Sequence, residues 1–89
     1  MTITELLADT RQRIAEREQT AERLSADAQP VRLVQNSGIQ ALITPSLVYP
    51  DGWRITYVDD AGPISHSECR NKYDALWAAL SENYKELTA

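Results

Sequence analysis

The sequence is poor in the residues that build chemical sites. It has one cysteine, Cys69, and one histidine, His66, whereas a zinc site takes three or four ligands. It has three glycines, and none stands in a phosphate-binding loop, a dinucleotide fingerprint or the turn that holds a serine nucleophile. We therefore expect a protein without a metal or cofactor, and not an enzyme.

The lone cysteine and the lack of long apolar runs indicate the cellular compartment in which the protein is found. Cys69 cannot form an internal disulfide, which is typical of a reducing compartment. No apolar run approaches the ~20 residues that span a bilayer, and residues 1–5 lack the charged and apolar regions of a secretory signal. The sequence thus predicts a cytoplasmic protein that does not associate with a membrane.

An excess of positive charge is also absent. Nine Lys and Arg residues stand against thirteen Asp and Glu residues, which gives a net charge of −4. Affinity for nucleic acids comes largely from cations that replace phosphate counterions, so this balance disfavours a nucleic-acid partner. The composition, 43% apolar and 25% charged, is typical of one small folded domain over residues 1–89.

Residues 1–29 predict one long helix. Ala, Leu, Arg, Glu and Gln dominate the segment, and no glycine or proline occurs before Pro30. Pro30 disfavours helical geometry at the residue before it, so the helix should end there. Thr2, with Glu5 three residues later, fits the capping box that begins many helices, and Thr4 is an alternative cap.

The same segment carries a seam of residues spaced alternately by four and three. Its members are Ile3, Leu7, Thr10, Ile14, Arg17, Ala21, Leu24 and Ala28. The polar Thr10 and Arg17 weaken the seam as a parallel zipper. Two interpretations stay open: the seam packs on the chain's own sheet, or it binds a second helix, and both hold if one end overhangs. Asp9–Arg13 and Arg23–Asp27 have the spacing of helical ion pairs.

Residues 31–68 predict an antiparallel sheet joined by tight turns. In Tyr49–Gly52, proline presets the second turn position, Asp51 takes the third, and the glycine takes a left-handed conformation. Residues 59–62 form a second turn. The strands are residues 39–49, 53–58 and 63–66, a three-stranded meander, with residues 31–34 as a fourth short strand. Because a proline cannot donate to a strand ladder, Pro45 indicates that the strand of residues 39–49 lies at a sheet edge or contains a bulge.

Residues 70–88 predict a second, amphipathic helix. Asn71 is a favourable N-cap, with Asp74 at the third helical position. The apolar stripe consists of Tyr73, Leu76, Trp77, Leu80, Tyr84 and Leu87. We expect this stripe to cover the sheet face on which Trp53 and Ile55 lie. The fold class that follows is α+β in two layers, with both helices on one face of a small antiparallel sheet.

The order helix, three antiparallel strands, helix resembles that of the double-stranded-RNA-binding domain. The basic start of that family's last helix is represented here by Arg70 and Lys72 beside Asp74, and the likeness ends at the order of elements. In size and acidity the chain also resembles the small inhibitors, anti-CRISPR proteins among them, that phages and mobile elements direct at host defence complexes. Such a likeness implies a protein target, but it rests on no motif.

The function that we expect is a non-enzymatic binding module, an inhibitor or regulator of a larger protein. Its acidic turns and long helix would meet a basic surface. The candidate partner-binding residues are Asp51, Asp59, Asp60, Arg54, Glu16 and Glu18. Arg54, Thr56 and Val58 share a strand face that is open to a partner if both helices pack on the other face. The alternative is a nucleic-acid-binding domain that uses Arg54, Arg70 and Lys72 as a basic patch. A homodimer through the helix seam also stays open.

Overall fold

The computed structural model describes residues 2–86, and the fold is α+β as the sequence predicts. The elements in chain order are α1 (Ile3–Leu24), β1 (Val31–Val34), β2 (Gln40–Pro45), β3 (Trp53–Asp59), β4 (Gly62–Cys69), α2 (Lys72–Ser81) and β5 (Lys85–Glu86). The strands form one sheet in the order β4-β3-β2-β1-β5, and every neighbouring pair is antiparallel. The first four strands are therefore a simple meander, and the fifth joins from the far end of the chain.

The core lies between one sheet face and α2, which packs across β2, β3 and β4. Its largest fully enclosed side chains are Leu33, Ile43, Ile55 and Leu76. Trp53 and Tyr57 pack half-buried on the same face, as the alternation along the strand predicts. The second helix thus covers the face that the sequence indicates. The first helix, which the sequence analysis places on the sheet face, packs mainly on α2 instead and buries Ala21.

Both helices begin where the sequence places their caps. The Thr2 hydroxyl accepts a hydrogen bond from the Glu5 amide at 3.2 Å. The Asn71 side-chain oxygen accepts one from the Asp74 amide at 2.8 Å. Each cap satisfies an amide that has no partner in the helix's own first turn, so local chemistry alone decides these two starts.

The first helix ends at Leu24, five residues before the predicted end. The chain after it is held in a non-helical form from two sides. The Asp27 carboxylate accepts from the Gln29 amide at 3.0 Å, and the ammonium group of Lys72 donates to the carbonyls of Asp27 and Gln29 at 2.9 and 2.6 Å. A local turn and a lysine from the other helix therefore hold the segment after α1, and the second of these contacts cannot be predicted from a local pattern.

The second helix is also shorter than predicted, because the chain turns back at Asn83. Asn83 has φ of 68°, a left-handed conformation that ends helices. The next residue, Tyr84, is buried with its ring 5.6 Å from that of Tyr57. Lys85 and Glu86 then pair with β1. Leu87, the last residue of the predicted stripe, lies outside the described residues.

One predicted ion pair forms and one does not. Asp9 and Arg13 meet at 3.1 Å on the exposed side of α1. Arg23 pairs instead with Glu86 of β5, at 2.6 Å, because the helix ends before it reaches Asp27. This contact ties the first helix to the strand that the sequence does not predict.

The position of Pro45 in the sheet also differs from the expectation. β2 is an interior strand, and Pro45 is its last residue. The ladder with β1 stops at Ile43, opposite Val31, so beyond it Pro45 meets only β3. The missing amide of the proline therefore costs no bond to β1. A bulge occurs elsewhere, between β3 and β4 at Tyr57 and Val58.

Candidate functional site

The connection between β2 and β3, residues 46–52, is a closed loop with internal hydrogen bonds. The Ser46 amide donates to the Gly52 carbonyl at 2.9 Å, which joins the two ends. The Ser46 hydroxyl oxygen accepts from the amides of Val48 and Tyr49, each at 3.1 Å. Because these backbone groups find partners within the loop, the internal hydrogen bonds help to hold it in one shape.

Three consecutive large apolar side chains extend outward from this loop. Leu47 is 90% exposed, and Val48 and Tyr49 are each more than half exposed. We refer to Leu47, Val48 and Tyr49 as the apolar loop. Single exposed apolar residues are ordinary, but a contiguous group on a protein surface marks an interaction site.

The sequence contains a signal for the apolar loop that the strand interpretation hid. The run lies between Pro45 and Pro50, neither of which can donate to a ladder. Extending the strand over residues 39–49 assigned these side chains to the sheet. An apolar run enclosed by two prolines is better interpreted as an exposed loop tip.

The turn inside the loop differs in detail from the prediction. Asp51, not Gly52, has the left-handed conformation, with φ of 61°. Pro50 followed by a positive φ is the arrangement of a type II turn. Gly52 is needed for a different reason, since a Cβ there would lie 3.0 Å from the Tyr49 Cβ and 3.2 Å from the Cys69 carbonyl oxygen.

A cavity of about 410 Å³ opens beside the apolar loop. It is lined by Tyr49, Pro50, Gly52, Glu68, Cys69 and Arg70. Burial, reinforced by the nearby Asp74 and Glu68, raises the pKa of the Cys69 thiol. The thiol is therefore protonated at neutral pH, which makes it a poor nucleophile and a small packing group.

The carboxyl group of Glu68 fixes the strand beneath the loop. Its Oε1 accepts from the Arg54 guanidinium at 2.6 Å. The Ser46 hydroxyl, followed by Arg54, lowers the pKa of this carboxyl. Oε2 is enclosed and has no hydrogen-bond partner among the described residues. Glu68 thus links the loop, β3 and β4 while it is ionised.

The structure separates the acidic candidates instead of clustering them. Asp51 is exposed in the loop next to Tyr49. Asp59 and Asp60 are exposed at the opposite end of β3, roughly 20 Å away along a seven-residue strand. Asp59 also caps its own turn, with its carboxylate accepting from the Ala61 amide at 2.8 Å.

The other candidates lie in two further places. Glu16 and Glu18 are exposed on α1. Arg54, Thr56 and Val58 are half-buried on the sheet face opposite α2. Asp51 alone adjoins the apolar loop, so it is the one predicted residue that the structure brings together with the new candidates.

The cations of the alternative basic patch have different surroundings. Lys72 is 5% exposed, and its ammonium group also lies 5.0 Å from the centre of the Trp53 ring. Arg54 is paired with Glu68. Arg70 is exposed. Two of the three are thus engaged in the fold itself, which leaves the alternative with little geometric support.

His66 lies exposed in the middle of β4. Over residues 2–86, no group of three or more His, Cys, Asp or Glu side chains is arranged to hold a metal ion. Within the same range, no helix combines the length and the apolar character that crossing a membrane requires.

Comparison with known protein families, with curated proteins and with solved structures found no match to this chain.

Proposed function

We propose that this chain is a non-enzymatic, cytoplasmic protein-binding module that acts as an inhibitor or regulator of a larger protein. The apolar loop is the observation that supports this function most. It presents three large apolar side chains on a backbone closed by its own hydrogen bonds. A loop already held in one shape loses little conformational entropy when it binds.

The apolar loop has the composition of a binding anchor. Burying a leucine or valine side chain contributes about 1.5–3 kcal/mol. Tyr49 adds a large ring with a polar end, the kind of side chain enriched at the centres of protein interfaces. These gains are comparable with the cost of association, so the partner has to supply an apolar pocket and further contacts around it.

Charge favours a basic partner. The chain has a net charge of −4, and Asp51 lies at the tip of the loop. An acidic surface accelerates encounter with a basic one and is screened by salt. A complex that handles nucleic acid offers such a basic surface, and the targets of anti-CRISPR proteins are of this kind. The support for this narrower target is the charge alone.

The first test is affinity capture from the source cells with matched baits. The wild-type chain is compared with a Leu47→Ser, Tyr49→Ser double variant and with Ile64→Ser, which removes an exposed isoleucine from β4. We expect the double variant to lose captured partner at least about tenfold, because hot-spot truncations each cost more than about 1 kcal/mol. Ile64→Ser should retain it. Equal capture by all three baits contradicts the proposal.

A photo-crosslinking side chain at residue 48 identifies the direct contact. It should form a covalent crosslink to the partner, whereas the same group at residue 64 should not.

Reversal of charge at Asp59 and Asp60 tests the acidic turn separately, and we expect slower association without unfolding. If the chain instead slows the migration of duplex DNA or RNA in a gel, and this binding weakens steeply as salt rises, the result would favour the nucleic-acid alternative.

A further inference from the structure

The helices of this fold pack on one face of the sheet and leave the other face open. α2 covers the core face, and α1 packs on α2. Alternation along the strands separates the two faces, because Leu33 and Ala41 are buried on the core side, whereas Leu42 and Thr56 lie half-buried on the other side. We name the sheet face on which Leu42, Thr56 and Val58 lie the open face.

The pairing of the strands shows which side chains share the open face, since residues directly opposite in an antiparallel pair lie on the same side. One row contains Arg32, Leu42 and Thr56, and the next row contains Lys85, Val34 and Val58. Val34, Leu42 and Val58 are therefore neighbours and form an apolar centre. Arg32 and Lys85 lie beside this centre, at the β1 and β5 side of the sheet.

The open face is positively charged in an otherwise acidic chain. Arg32, Arg54 and Lys85 lie on it together with one acid, Glu68. The Glu68 carboxylate lies 2.6 Å from the Arg54 guanidinium, so these two charges compensate each other. Arg32 and Lys85 are exposed, and over residues 2–86 neither meets a carboxylate in an ion pair. Two uncompensated cations thus lie on this face of a chain whose net charge is −4.

We propose that the open face binds an acidic amphipathic helix of a partner protein. Arg32 and Lys85 are diagonal neighbours on adjacent strands, so their Cα atoms lie roughly 7–8 Å apart. Two carboxylates one turn apart on a helix have a similar spacing and can meet both cations. Apolar residues of the same helix would cover Val34, Leu42 and Val58. The helix would then do on this side of the sheet what α2 does on the other.

The inference does not rest on the proposed function. The apolar loop and the open face are different surfaces, and the open face has a charge opposite to that of the acidic turns. Each surface therefore selects its own contact by charge.

A nucleic acid fits the open face less well than a protein helix. The tyrosine and tryptophan of the strands, Tyr57 and Trp53, lie on the core face, so the open face of the described sheet offers neither ring for a base to stack on. Two uncompensated cations neutralise few phosphates. The apolar centre also has no counterpart in a sugar–phosphate backbone, whereas an amphipathic helix uses both the charges and the centre.

Photo-crosslinking identifies the occupant. A photo-crosslinking side chain is placed at residue 56 of the full chain in the source cells, and the crosslinked segment is sequenced by mass spectrometry. We expect a protein segment in which apolar residues and carboxylates recur at helical spacing. The same group at residue 18, on α1, should not reach that segment. A basic segment, a second copy of this chain, a nucleic acid or no crosslink at residue 56 overturns the inference.

Reversal of charge tests the role of the two cations. In the chain that carries the crosslinking group, Arg32→Glu with Lys85→Glu should lower the crosslink yield at least about tenfold, because like charges would then face each other. Arg11→Glu with Arg13→Glu makes the same change of net charge at exposed positions on α1 and should retain the yield. Urea midpoints show that both pairs of changes leave the chain folded. Equal yields from the two pairs contradict the inference.

The Leu47→Ser, Tyr49→Ser variant separates this inference from the proposed function. It should leave the crosslink at residue 56 unchanged, although it loses the partner of the apolar loop. Loss of the crosslink at residue 56 in this variant would mean that the apolar loop holds the occupant, and the open face would then not be a binding surface of its own.

Discussion

Lys72 shows at the residue scale how a single side chain connects distant parts of this fold. It stands at the first position of α2, yet its ammonium group bonds to two carbonyls and a carboxylate in the segment between α1 and β1. Its charge also lies over the face of the Trp53 ring. An almost fully buried cation remains stable here because each of its protons has an acceptor.

Replacing Lys72 with methionine should destabilise the fold by about 1–3 kcal/mol, the cost of leaving buried hydrogen-bonding groups without a partner. Methionine keeps most of the apolar stem, so the loss measures the donors. Lys85→Met is the matched control, because Lys85 is exposed in β5. The measurement is the urea midpoint of each variant. Equal midpoints for the two variants would show that the Lys72 donors contribute nothing.

At the scale of the element, the β2–β3 loop gets its shape from a close approach instead of a flexible glycine. The left-handed position belongs to Asp51, and Gly52 is the point where the loop touches β4. The same loop leaves the side chains of Leu47, Val48 and Tyr49 exposed.

Gly52→Ala should destabilise the fold by about 1–3 kcal/mol, the usual cost of overpacking, because the new methyl group meets backbone atoms that cannot move away. Asp51→Gly is the control, and we expect it to stay within about 1 kcal/mol of the wild type since glycine accepts a positive φ. Chemical denaturation gives both values. A Gly52→Ala variant as stable as the wild type would mean that the loop can shift away from β4.

The two halves of the long first helix differ in how far they are buried. Its C-terminal half is part of the core, and its N-terminal half extends past α2 with its apolar seam exposed. A helix that only covered a small sheet could be shorter. The extra turns are therefore not needed to cover the core of this fold.

At the scale of the whole molecule, two ionised carboxyl groups support contacts between elements. Hydrogen bonds from the Gln29 amide and the Lys72 ammonium lower the pKa of Asp27. The Ser46 hydroxyl and Arg54 lower that of Glu68. A carboxyl whose pKa is lower when folded stabilises the fold above its ordinary pKa, and that contribution is lost as the pH falls through the lowered value.

We therefore expect stability to fall as the pH is lowered below about 5, because the folded protein takes up protons on these carboxyls only below their ordinary pKa values. In Glu68→Gln the fall should be shallower, and the variant should approach the wild type at the acidic end. Glu18→Gln, which removes an exposed carboxylate from α1, is the control for charge. The readout is the denaturant midpoint across the pH series. A wild type and Glu68→Gln that keep a constant difference at every pH would contradict this account.

The sequence by itself determined the features that depend on neighbours along the chain. The two helix starts follow from Thr2 and Asn71, the face of β3 from strict alternation, and the β3–β4 turn from its aspartates and glycine. The α+β class followed as well. The binding surfaces could be predicted only in part, since Asp51 was found but the apolar loop was assigned to a strand.

Only the tertiary structure decided where elements end and what they leave uncovered. The segment after α1 is held by a lysine from α2, and β5 exists because Tyr84 packs on Tyr57 and the edge of β1 accepts a strand. Pro45 is tolerated inside the sheet because β1 stops short of it. Each of these outcomes arises from residues far apart along the chain, whose contacts form only when the whole chain folds. Periodicity and turn chemistry therefore cannot predict them.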